Sequence, residues 1–513
     1  SMSAPHITGS AALVFALHPT FSAAQVKSAL MTTANRNVVE ADGVTPAGVF
    51  SQGSGRVDLA GVVDPGLTLD VTRSQMDAVL ADPIHRIDLN EPSVYDPALP
   101  GRVTTSRTFK NVTAHPIVFQ VKATSDLAGA ITVTPSVFNA PPGGTVTLTI
   151  SIDATKGTVG TWYTGQIDLT QLGGSRHLHL PVAFNPSAPA AGSVSLTTNC
   201  DVKVIHLSAN QNSTCTAVAQ NNSLQPATVN LSTTWSDNLV LQSATPGATK
   251  TGRDTETLPP TTLAPARPPD PQISTGTTPA GGFLDLGGIG LPLRPMGDET
   301  ISNFTLSHPF QFAGVTYNKL GIVSDGYLIA GGGTGNDITP LPQHFPDPTP
   351  PNGVLAPFWT DLDGGNGTIA GQGFYIGALT DGVNFWTVVQ WNVHVYGTTT
   401  LEKFQVWLGA NGSEDVSYAY QTVADPGLPL NTGAENADGT AGSNFTGLPT
   451  PSPDSGLVVA STPGAPGASA ALAVTLRPNR TLPHLAPSLI ETDMTTSLSR
   501  DTSVASTSIQ VLP

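Results

Sequence analysis

The spacing of apolar residues changes along the chain. Near the start, small or apolar side chains recur three or four positions apart, at Ala4, Ile7, Ala11 and Val14, which predicts a helix. The opposite face is also small and uncharged, so we expect this helix to be buried all round. Pro19 ends the pattern.

A second helix is predicted directly after the first. Ser22 and Gln25 have the spacing of a capping box, and Phe21 and Val26 occupy the positions of a hydrophobic staple. We therefore place its N-terminus at Ser22.

From about residue 85 the apolar period becomes two, which is typical of half-buried strands. Pro and Gly clusters separate the short runs, and the spacing predicts a β-sandwich over 85–186. The six predicted strands are Val103–Phe109, Ile117–Ala123, Ile131–Pro135, Val146–Ile152, Tyr163–Leu169 and His177–Phe184.

Both cysteines, Cys200 and Cys215, lie in a small β unit predicted over 193–245. A disulfide would close a loop of about fifteen residues and stabilise the fold by roughly 3 kcal/mol. Two buried free thiols remain the alternative, because pairing is not readable from sequence. Residues 246–282 contain eight Pro and many Thr, which predicts an extended, semi-rigid linker.

A further β domain is predicted over 283–478, followed by a C-terminal segment, 479–513, that ends without a closing signal. Four of the six Trp lie in that domain, and Asp-Gly or Asn-Gly pairs at 325, 381 and 411 indicate hairpin turns. One side of the strand 385–396 carries Trp386, His394 and Tyr396, joined by Trp407. That face is a candidate platform for glycan or protein ligands, although we favour a covered, structural face.

Composition and charge exclude several function classes. The chain has 513 residues, enough for about three or four domains. Its 21 Lys and Arg against 37 Asp and Glu give a net charge of −16. Such a chain lacks the basic footprint that nucleic-acid binding needs. No apolar run reaches the roughly 18 residues of a membrane span.

We expect no cofactor and no metal. The run from Asp361 to Gln372 departs from the calcium-loop pattern, since Asn366 stands at the sixth position and Gln372 at the twelfth. No Cys/His cluster indicates zinc, and no phosphate-binding glycine loop follows a strand.

Three strings resemble known families. The run S-M-S-A-P-H, two small-residue helices and the G-x-G-x-V turn (Gly53, Gly55, Val57) resemble the nucleophile segment of subtilisin-like serine proteases. R-T-F-K-N-V (107–112) is similar to the fibronectin type III-like domain that follows many subtilase catalytic domains. A-P-F-W-T-D-L-D (356–363) resembles the nidogen-like extracellular domain.

The resemblance implies a site residue and a fold class. Position by position, the family's nucleophile is Ser1, which would form an acyl-enzyme with a polypeptide substrate. The fold expected is multidomain: residues 1–75 as the remnant of an α/β subtilisin-like catalytic domain, followed by β-sandwich and other mostly antiparallel β domains. His6 does not serve as the base, because five helical residues turn its side chain about 140° away from Ser1.

The family's catalytic Asp and His and its oxyanion Asn precede the nucleophile and have no counterpart here. We therefore expect a C-terminal fragment of a secreted endopeptidase, inactive alone. Two other interpretations of Ser1 are an ordinary N-cap and an N-terminal nucleophile, and the buried helix disfavours the second. The alternative function is a non-catalytic extracellular adhesion or binding protein with an inert protease remnant.

Overall fold

The computed structural model describes residues 1–367, 369–450 and 456–513. The chain divides into two compact units, one of Ser1–Pro265 with Pro466–Pro513 and one of Ala266–Ala465. The second unit, which we call the inserted domain, therefore interrupts the first in sequence.

The N-terminal segment is mainly helical. Ser22 and Gln25 form the predicted capping box at the start of α2. The sequence predicts that the first helix is buried all round, and this is wrong. Of its residues only Ser10 and Val14 are buried. The reason is that α1 packs with only one side on a small cluster formed with α2 and Val62, and in the described part of the chain its other side is open. The elements are α1 (Ser3–Leu17), α2 (Ala23–Thr32), α3 (Val49–Gln52), α4 (Leu59–Val62), β1 (Leu67–Leu69), α5 (Arg73–Ala81) and a 3-10 helix (Pro83–Asp88).

A first β-sandwich follows, and all six predicted strands are present in it. One sheet has the order β2-β9-β8-β4-β6, and the other contains β5, β7 and β3. Strand β1 pairs antiparallel with β3, which ties the N-terminal segment to this sandwich. The strands are β2 (Val94–Leu99), β3 (Gly101–Asn111), β4 (Ile117–Ser125), β5 (Ile131–Thr134), β6 (Val137–Ala140), β7 (Thr145–Asp153), β8 (Tyr163–Gln171) and β9 (His177–Pro186).

A buried arginine organises one end of the first sandwich. Arg107 is only 2% exposed and donates to the main-chain carbonyls of Glu91, Ile87, Ser93 and Ser106. Burial lowers its pKa to about 10. The guanidinium thus pins the stretch before β2 onto β3 by charge-assisted hydrogen bonds.

A second sandwich begins at residue 190, and it shows that the linker predicted over 246–282 is wrong. That range contains three strands, at Thr249–Gly252, Thr255–Leu263 and Asp270–Gly276. The strands up to the inserted domain are β10 (Ala190–Ala191), β11 (Val194–Cys200), β12 (Val204–His206), β13 (Ser213–Asn221), β14 (Ala227–Trp235), β15 (Leu239–Ala244), β16 (Thr249–Gly252) and β17 (Thr255–Leu263).

Two features let this Pro- and Thr-rich run form a strand. The register between β14 and β17 shifts where Leu231 opposes Leu258 and Val229 opposes Thr261, so Pro259 and Pro260 fall at a bulge. A bulge tolerates residues without an N–H. Threonine, being β-branched, favours extended backbone, and its hydroxyls pair across the strands.

The inserted domain is also built of two sheets, with the orders β18-β30-β27-β26-β25-β23 and β19-β20-β21-β22-β28-β29, and β24 pairs with β25. Their inner faces share one core. The strands are β18 (Asp270–Gly276), β19 (Ile301–Phe312), β20 (Val315–Val323), β21 (Tyr327–Ala330), β22 (Val354–Trp359), β23 (Leu362–Asp363), β24 (Gly373–Thr380), β25 (Phe385–Val395), β26 (Leu401–Gly409), β27 (Val416–Thr422), β28 (Asn431–Glu435), β29 (Gly442–Asn444) and β30 (Gly456–Thr462).

The last strands return to the second sandwich, so three predicted boundaries are wrong. Residues 193–245 are not a separate small domain, the domain predicted over 283–478 extends too far, and the C-terminal segment predicted over 479–513 contains two strands of the second sandwich. Long-range pairs such as Val229–Thr496 and Ala217–Leu472 build the sandwich from both sides of the insertion. These strands are β31 (Ser469–Pro478), β32 (Ser488–Thr496) and β33 (Thr502–Leu512).

The two sandwiches share a continuous sheet through one short contact, which we call the seam. Strands β3 and β33 pair only at Gly101–Ser503 and Arg102–Thr502. Beside this pairing, the Arg102 guanidinium contacts the carboxylates of Asp153 (3.0 Å), Glu491 (2.6 Å) and Asp493 (2.8 Å). One guanidinium group therefore pairs with three carboxylates contributed by both sandwiches.

We predict that Arg102→Met destabilises the first unit by about 1–3 kcal/mol, because it leaves three neighbouring carboxylates without their cation. The matched control is Arg73→Met, since Arg73 is exposed and pairs only with Asp77 within α5. The measurement is the urea midpoint of the full chain followed by far-UV circular dichroism. Equal midpoints for the two variants would contradict the role given to the seam.

Three fully buried carboxyl groups distinguish the inserted domain. Asp325 accepts from the Leu362 N–H, Glu402 from the Ala424 N–H and Glu435 from the Asp347 N–H. Burial raises the pKa of Asp325 and of Glu402 to about 7 and that of Glu435 to about 8. These groups are therefore protonated in the fold at mildly acidic pH.

We predict that the inserted domain loses stability as the pH rises from about 4 to 8. The three folded pKa values lie above the unfolded ones, so the folded state binds more protons across this window. Each unit of difference corresponds to about 1.4 kcal/mol. Urea midpoints at pH 5 and pH 8 test this by tryptophan fluorescence, to which four of the six Trp contribute from this domain. Glu435→Gln should flatten the profile, and a midpoint that rises with pH would refute it.

Candidate catalytic segment

Ser1 lies two residues before α1, at the positive end of the helix. Met2 is the N-cap and provides no side-chain hydrogen bond to the first turn, in which Pro5 has no N–H to donate. The main-chain N–H groups of Ser3 and Ala4 are thus uncapped at the helix start. Such groups, together with the helix dipole, stabilise negative charge that develops nearby.

Neither nearby histidine is engaged with Ser1. The Nδ1 of His6 bonds to the Met2 carbonyl, 2.8 Å away, and the Nε2 of His18 bonds to the Val63 carbonyl, 2.9 Å away. Within the part of the chain that the structure describes, Ser1 has no hydrogen bond to a His or Asp side chain. A serine without a base is a weak nucleophile.

Helix α2 anchors the segment to the first sandwich. The Ser28 hydroxyl accepts from the Leu69 N–H (2.9 Å), and the Gln25 amide donates to the Thr68 hydroxyl (3.0 Å). Both contacts are made to β1, which pairs with β3. The position of the helix pair relative to the sandwich therefore depends on buried polar side chains of α2.

Two further contacts come from the sandwich itself. Arg36 pairs with Asp168 at 2.9 Å, and His179 bonds to the Ser54 carbonyl at 2.8 Å. Burial lowers the pKa of His179, so the neutral ring is favoured there. The neutral ring donates one N–H, which suits a carbonyl acceptor.

Steric contact explains why the G-x-G-x-V turn has glycine at position 55. Gly55 has φ +121°, and a Cβ at this position would lie 2.5 Å from the Asn35 carbonyl oxygen. Asn35 and Arg56 exchange two main-chain hydrogen bonds at this point. Only glycine allows the turn to approach the end of α2 so closely.

An apolar groove of about 480 Å³ remains open between α1, α2 and this turn. Ile7 and Phe15 line it while 45% and 41% exposed, and Leu13 and Leu17 are more than half exposed on the same helix. Exposed apolar area of this kind marks a surface that normally has a partner.

Cys200 and Cys215 are joined by a disulfide in the structure. They lie opposite each other on β11 and β13 and are 2% and 1% exposed. The bridge lies in the second sandwich, among Ile205, Trp235 and Leu239. It serves the core of that sandwich and lies apart from the N-terminal segment.

The face around Trp386 and Trp407 is covered, as we favoured from the sequence, and the alternative of an aromatic ligand platform does not hold for these two residues. Trp386 and Trp407 are 8% and 3% exposed, beneath the stretch that contains Leu284 and Leu286. Their indole N–H groups donate to Asp415 and Gln405. The covering stretch precedes β19 in sequence, so the pattern of β25 alone does not reveal it.

The other two residues of that face, His394 and Tyr396, differ in exposure. His394 is 7% exposed, and its Nδ1 bonds to Gln372 at 2.7 Å. Tyr396, just beyond β25, is 52% exposed. Tyr396 alone is therefore available to a ligand among these four residues.

The carboxylates around Asp361 repel one another. Burial raises the pKa of Asp298 and of Asp361, and neighbouring acids, Asp363 and Glu299 among them, raise both further. Over the described ranges, no group of three or more His, Cys, Asp or Glu is placed to hold a metal ion. No helix there is long and apolar enough to cross a membrane.

Comparison with protein families assigns three parts of the chain. Residues 1–55 match the subtilase family, residues 88–184 a fibronectin type-III domain, and residues 277–466 the family described as NIDO related. The resemblance of the sequence to these three families is thereby confirmed.

Curated relatives of the chain include subtilisin-like proteases of the plant Arabidopsis thaliana. Subtilisin-like protease SBT2.5 is 29% identical over 202 residues, which cover 33% of this chain and 25% of the relative. SBT5.4 is 32% identical over 161 residues (26% and 21%), and SBT1.3 is 42% identical over 77 residues (14% and 10%). The chain thus spans between a tenth and a quarter of the length of these relatives.

Solved structures give only a weak likeness. The E. coli chaperone DraB is 13% identical, with 28% of this chain and 71% of that chain covered and a TM-score of 0.16. The periplasmic chaperone SfaE is also 13% identical, with 34% and 81% covered and the same score. A score this low carries no argument about fold or function.

We predict that Gly55→Ala loosens the N-terminal segment by about 1–3 kcal/mol, because the new methyl group meets the Asn35 carbonyl at a backbone conformation that disfavours alanine. Gly48→Ala is the matched control, since nothing lies within 4 Å of its Cβ position. Hydrogen exchange at the Asn35 and Arg56 amides measures the effect. Unchanged protection in Gly55→Ala would show that the turn does not hold the segment.

Proposed function

We propose that this chain is part of a secreted subtilisin-like serine endopeptidase whose nucleophile is Ser1. The observation that carries the proposal is the match of residues 1–55 to the subtilase family, with Ser1 placed just ahead of the uncapped start of α1. Ser1 attacks a peptide carbonyl, and the acyl-enzyme that forms is then hydrolysed.

In this proposal Ser1 provides the nucleophile, and groups outside this chain provide the base and the carboxylate that orients it. The N–H groups at the start of α1 and that of Ser1 suit a tetrahedral oxyanion. Removal of the Ser1 proton needs a histidine base, and that histidine needs a carboxylate to orient it. We propose that these residues belong to the upstream part of the same catalytic domain.

The open groove supports the proposal that the base belongs to an upstream part of the catalytic domain. Its lining is apolar on α1, α2 and the Gly55 turn, as expected of helices that pack against more of a catalytic domain. We propose that the upstream part of the domain covers this groove and brings the base to Ser1.

The remaining domains support an extracellular role. A buried disulfide in the second sandwich is typical of proteins that fold in an oxidising compartment. We propose that the β domains contact the polypeptide substrate or a surface that holds it, and that the protein is secreted.

The decisive experiment reads the coding sequence upstream of the Ser1 codon and produces the longer chain. We expect an in-frame Gly-Thr before Ser1, preceded by segments that carry Asn, His and Asp. A fluorophosphonate probe should label this longer chain at Ser1, and Ser1→Ala should abolish labelling while Ser3→Ala, two residues away, retains it.

The 513-residue chain alone should remain unlabelled, because it has no base for Ser1. Stoichiometric labelling of that chain would refute the need for an upstream base. A stop codon or unrelated sequence upstream would refute the peptidase proposal and favour the alternative, an extracellular binding protein with an inert remnant.

A further inference from the structure

Three exposed aromatic residues from separate parts of the chain form one cluster. Phe50 on α3 packs edge-on against Trp162 with ring centroids 5.0 Å apart, and Tyr95 on β2 stacks on Trp162 at 5.6 Å with an interplanar angle of 19°. Their exposed fractions are 61%, 38% and 53%. Each is an isolated aromatic in sequence, and only the fold brings them together.

Tyr95 also lines a cleft of about 440 Å³ between the first sandwich and the turn that joins β32 to β33. Tyr95 is half exposed and lines the cleft, whereas Trp162, on which it stacks, does not line it. Clefts of this volume at a junction between modules are usual places for small ligands.

The polar wall of the cleft contains two neighbouring carboxyl groups. Asp96, on β2, is 7% exposed, and its carboxyl group lines the cleft together with that of Asp501 on the opposite turn, close enough for the two to interact electrostatically. Burial, and then the neighbouring Asp96, raise the pKa of Asp501 to about 7. A carboxyl pair that carries one proton offers both a donor and acceptors.

The charges around the cleft disfavour an anionic ligand. Arg500 pairs with Asp88 at 2.7 Å, and the donors of Arg107 are directed to main-chain carbonyls. Arg86 is the one cleft-lining arginine that has neither kind of partner in the described part of the chain. Glu91, Asp96 and Asp501 all line the cleft, so an anion would meet three carboxyl groups and a single unengaged cation.

We propose that this cleft binds a neutral oligosaccharide, with one sugar ring stacked on Tyr95 and its hydroxyls bonded to the Asp96–Asp501 pair. A sugar ring has an apolar C–H face that suits an aromatic ring and a rim of hydroxyls that both donate and accept. This inference goes beyond the proposed peptidase role and does not depend on the reactivity of Ser1.

The test is titration calorimetry of the full 513-residue chain with cellopentaose, chitopentaose and laminaripentaose. We expect saturable binding of at least one pentasaccharide. Tyr95→Ala should weaken this binding about tenfold or more, a loss of about 1.4 kcal/mol, and Asp501→Ala should weaken it as well. Tyr396→Ala, at a tyrosine equally exposed on the inserted domain, is the matched control and should bind as the unmodified chain does.

Three results would overturn the proposal. One is the absence of binding by all three pentasaccharides at millimolar concentration. Another is the same affinity in Tyr95→Ala and in Tyr396→Ala. The third is Tyr95-dependent binding of decaproline without any binding of the sugars, which would assign the cleft to a proline-rich peptide. Circular dichroism of each variant checks that the fold is retained.

Discussion

The Arg102 guanidinium at the seam is the interaction on which the arrangement of the first unit depends. Two pairs of opposed residues join β3 to β33, which is too little backbone pairing to hold two sandwiches in register by itself. Gly101 permits the close approach, since a Cβ there would lie 2.5 Å from a Val504 methyl group. The three carboxylates around Arg102 then draw β7 and β32 to the same point.

The first sandwich was readable from sequence because its strands are local and alternate cleanly. The buried positions of β3, for example, fall on every second residue from Gly101 to Asn111. The second sandwich has the same alternation, yet its assembly was not readable, since β14 pairs with β32 across the whole inserted domain. Strand pairings so distant in sequence leave no local signal. The prolines at the bulge of β17 give that strand the composition of a linker.

The two sandwiches share one local feature, a buried asparagine at the end of a strand. Asn111 at the end of β3 and Asn221 at the end of β13 are both fully buried and both receive the N–H and hydroxyl of the residue two positions on, Thr113 or Ser223. The Asn-x-Ser/Thr turn therefore recurs at equivalent places in the two sandwiches. The two sandwiches thus share this buried turn as well as their two-sheet architecture.

The candidate site, like the fold, has one part that nearby residues in the sequence predict and another that depends on residues far apart in the sequence. The place of Ser1 before a helix follows from a short motif and from helix signals nearby. The aromatic cluster had no such signal, because Phe50, Tyr95 and Trp162 come from three separate parts of the chain. The cover of Trp386 comes from the distant stretch that contains Leu284 and Leu286.

The aromatic cluster also depends on how the N-terminal segment docks. Phe50 belongs to that segment, whereas Trp162 and Tyr95 belong to the first sandwich, so their contact forms only when the two are packed together. The docking rests on the bonds from α2 to β1 and on the pair between Arg36 and Asp168. The same contacts therefore set the position of Ser1 and bring Phe50 to Trp162, on which the cleft-lining Tyr95 stacks. A ligand held at Tyr95 would thus lie at a fixed distance from the start of α1.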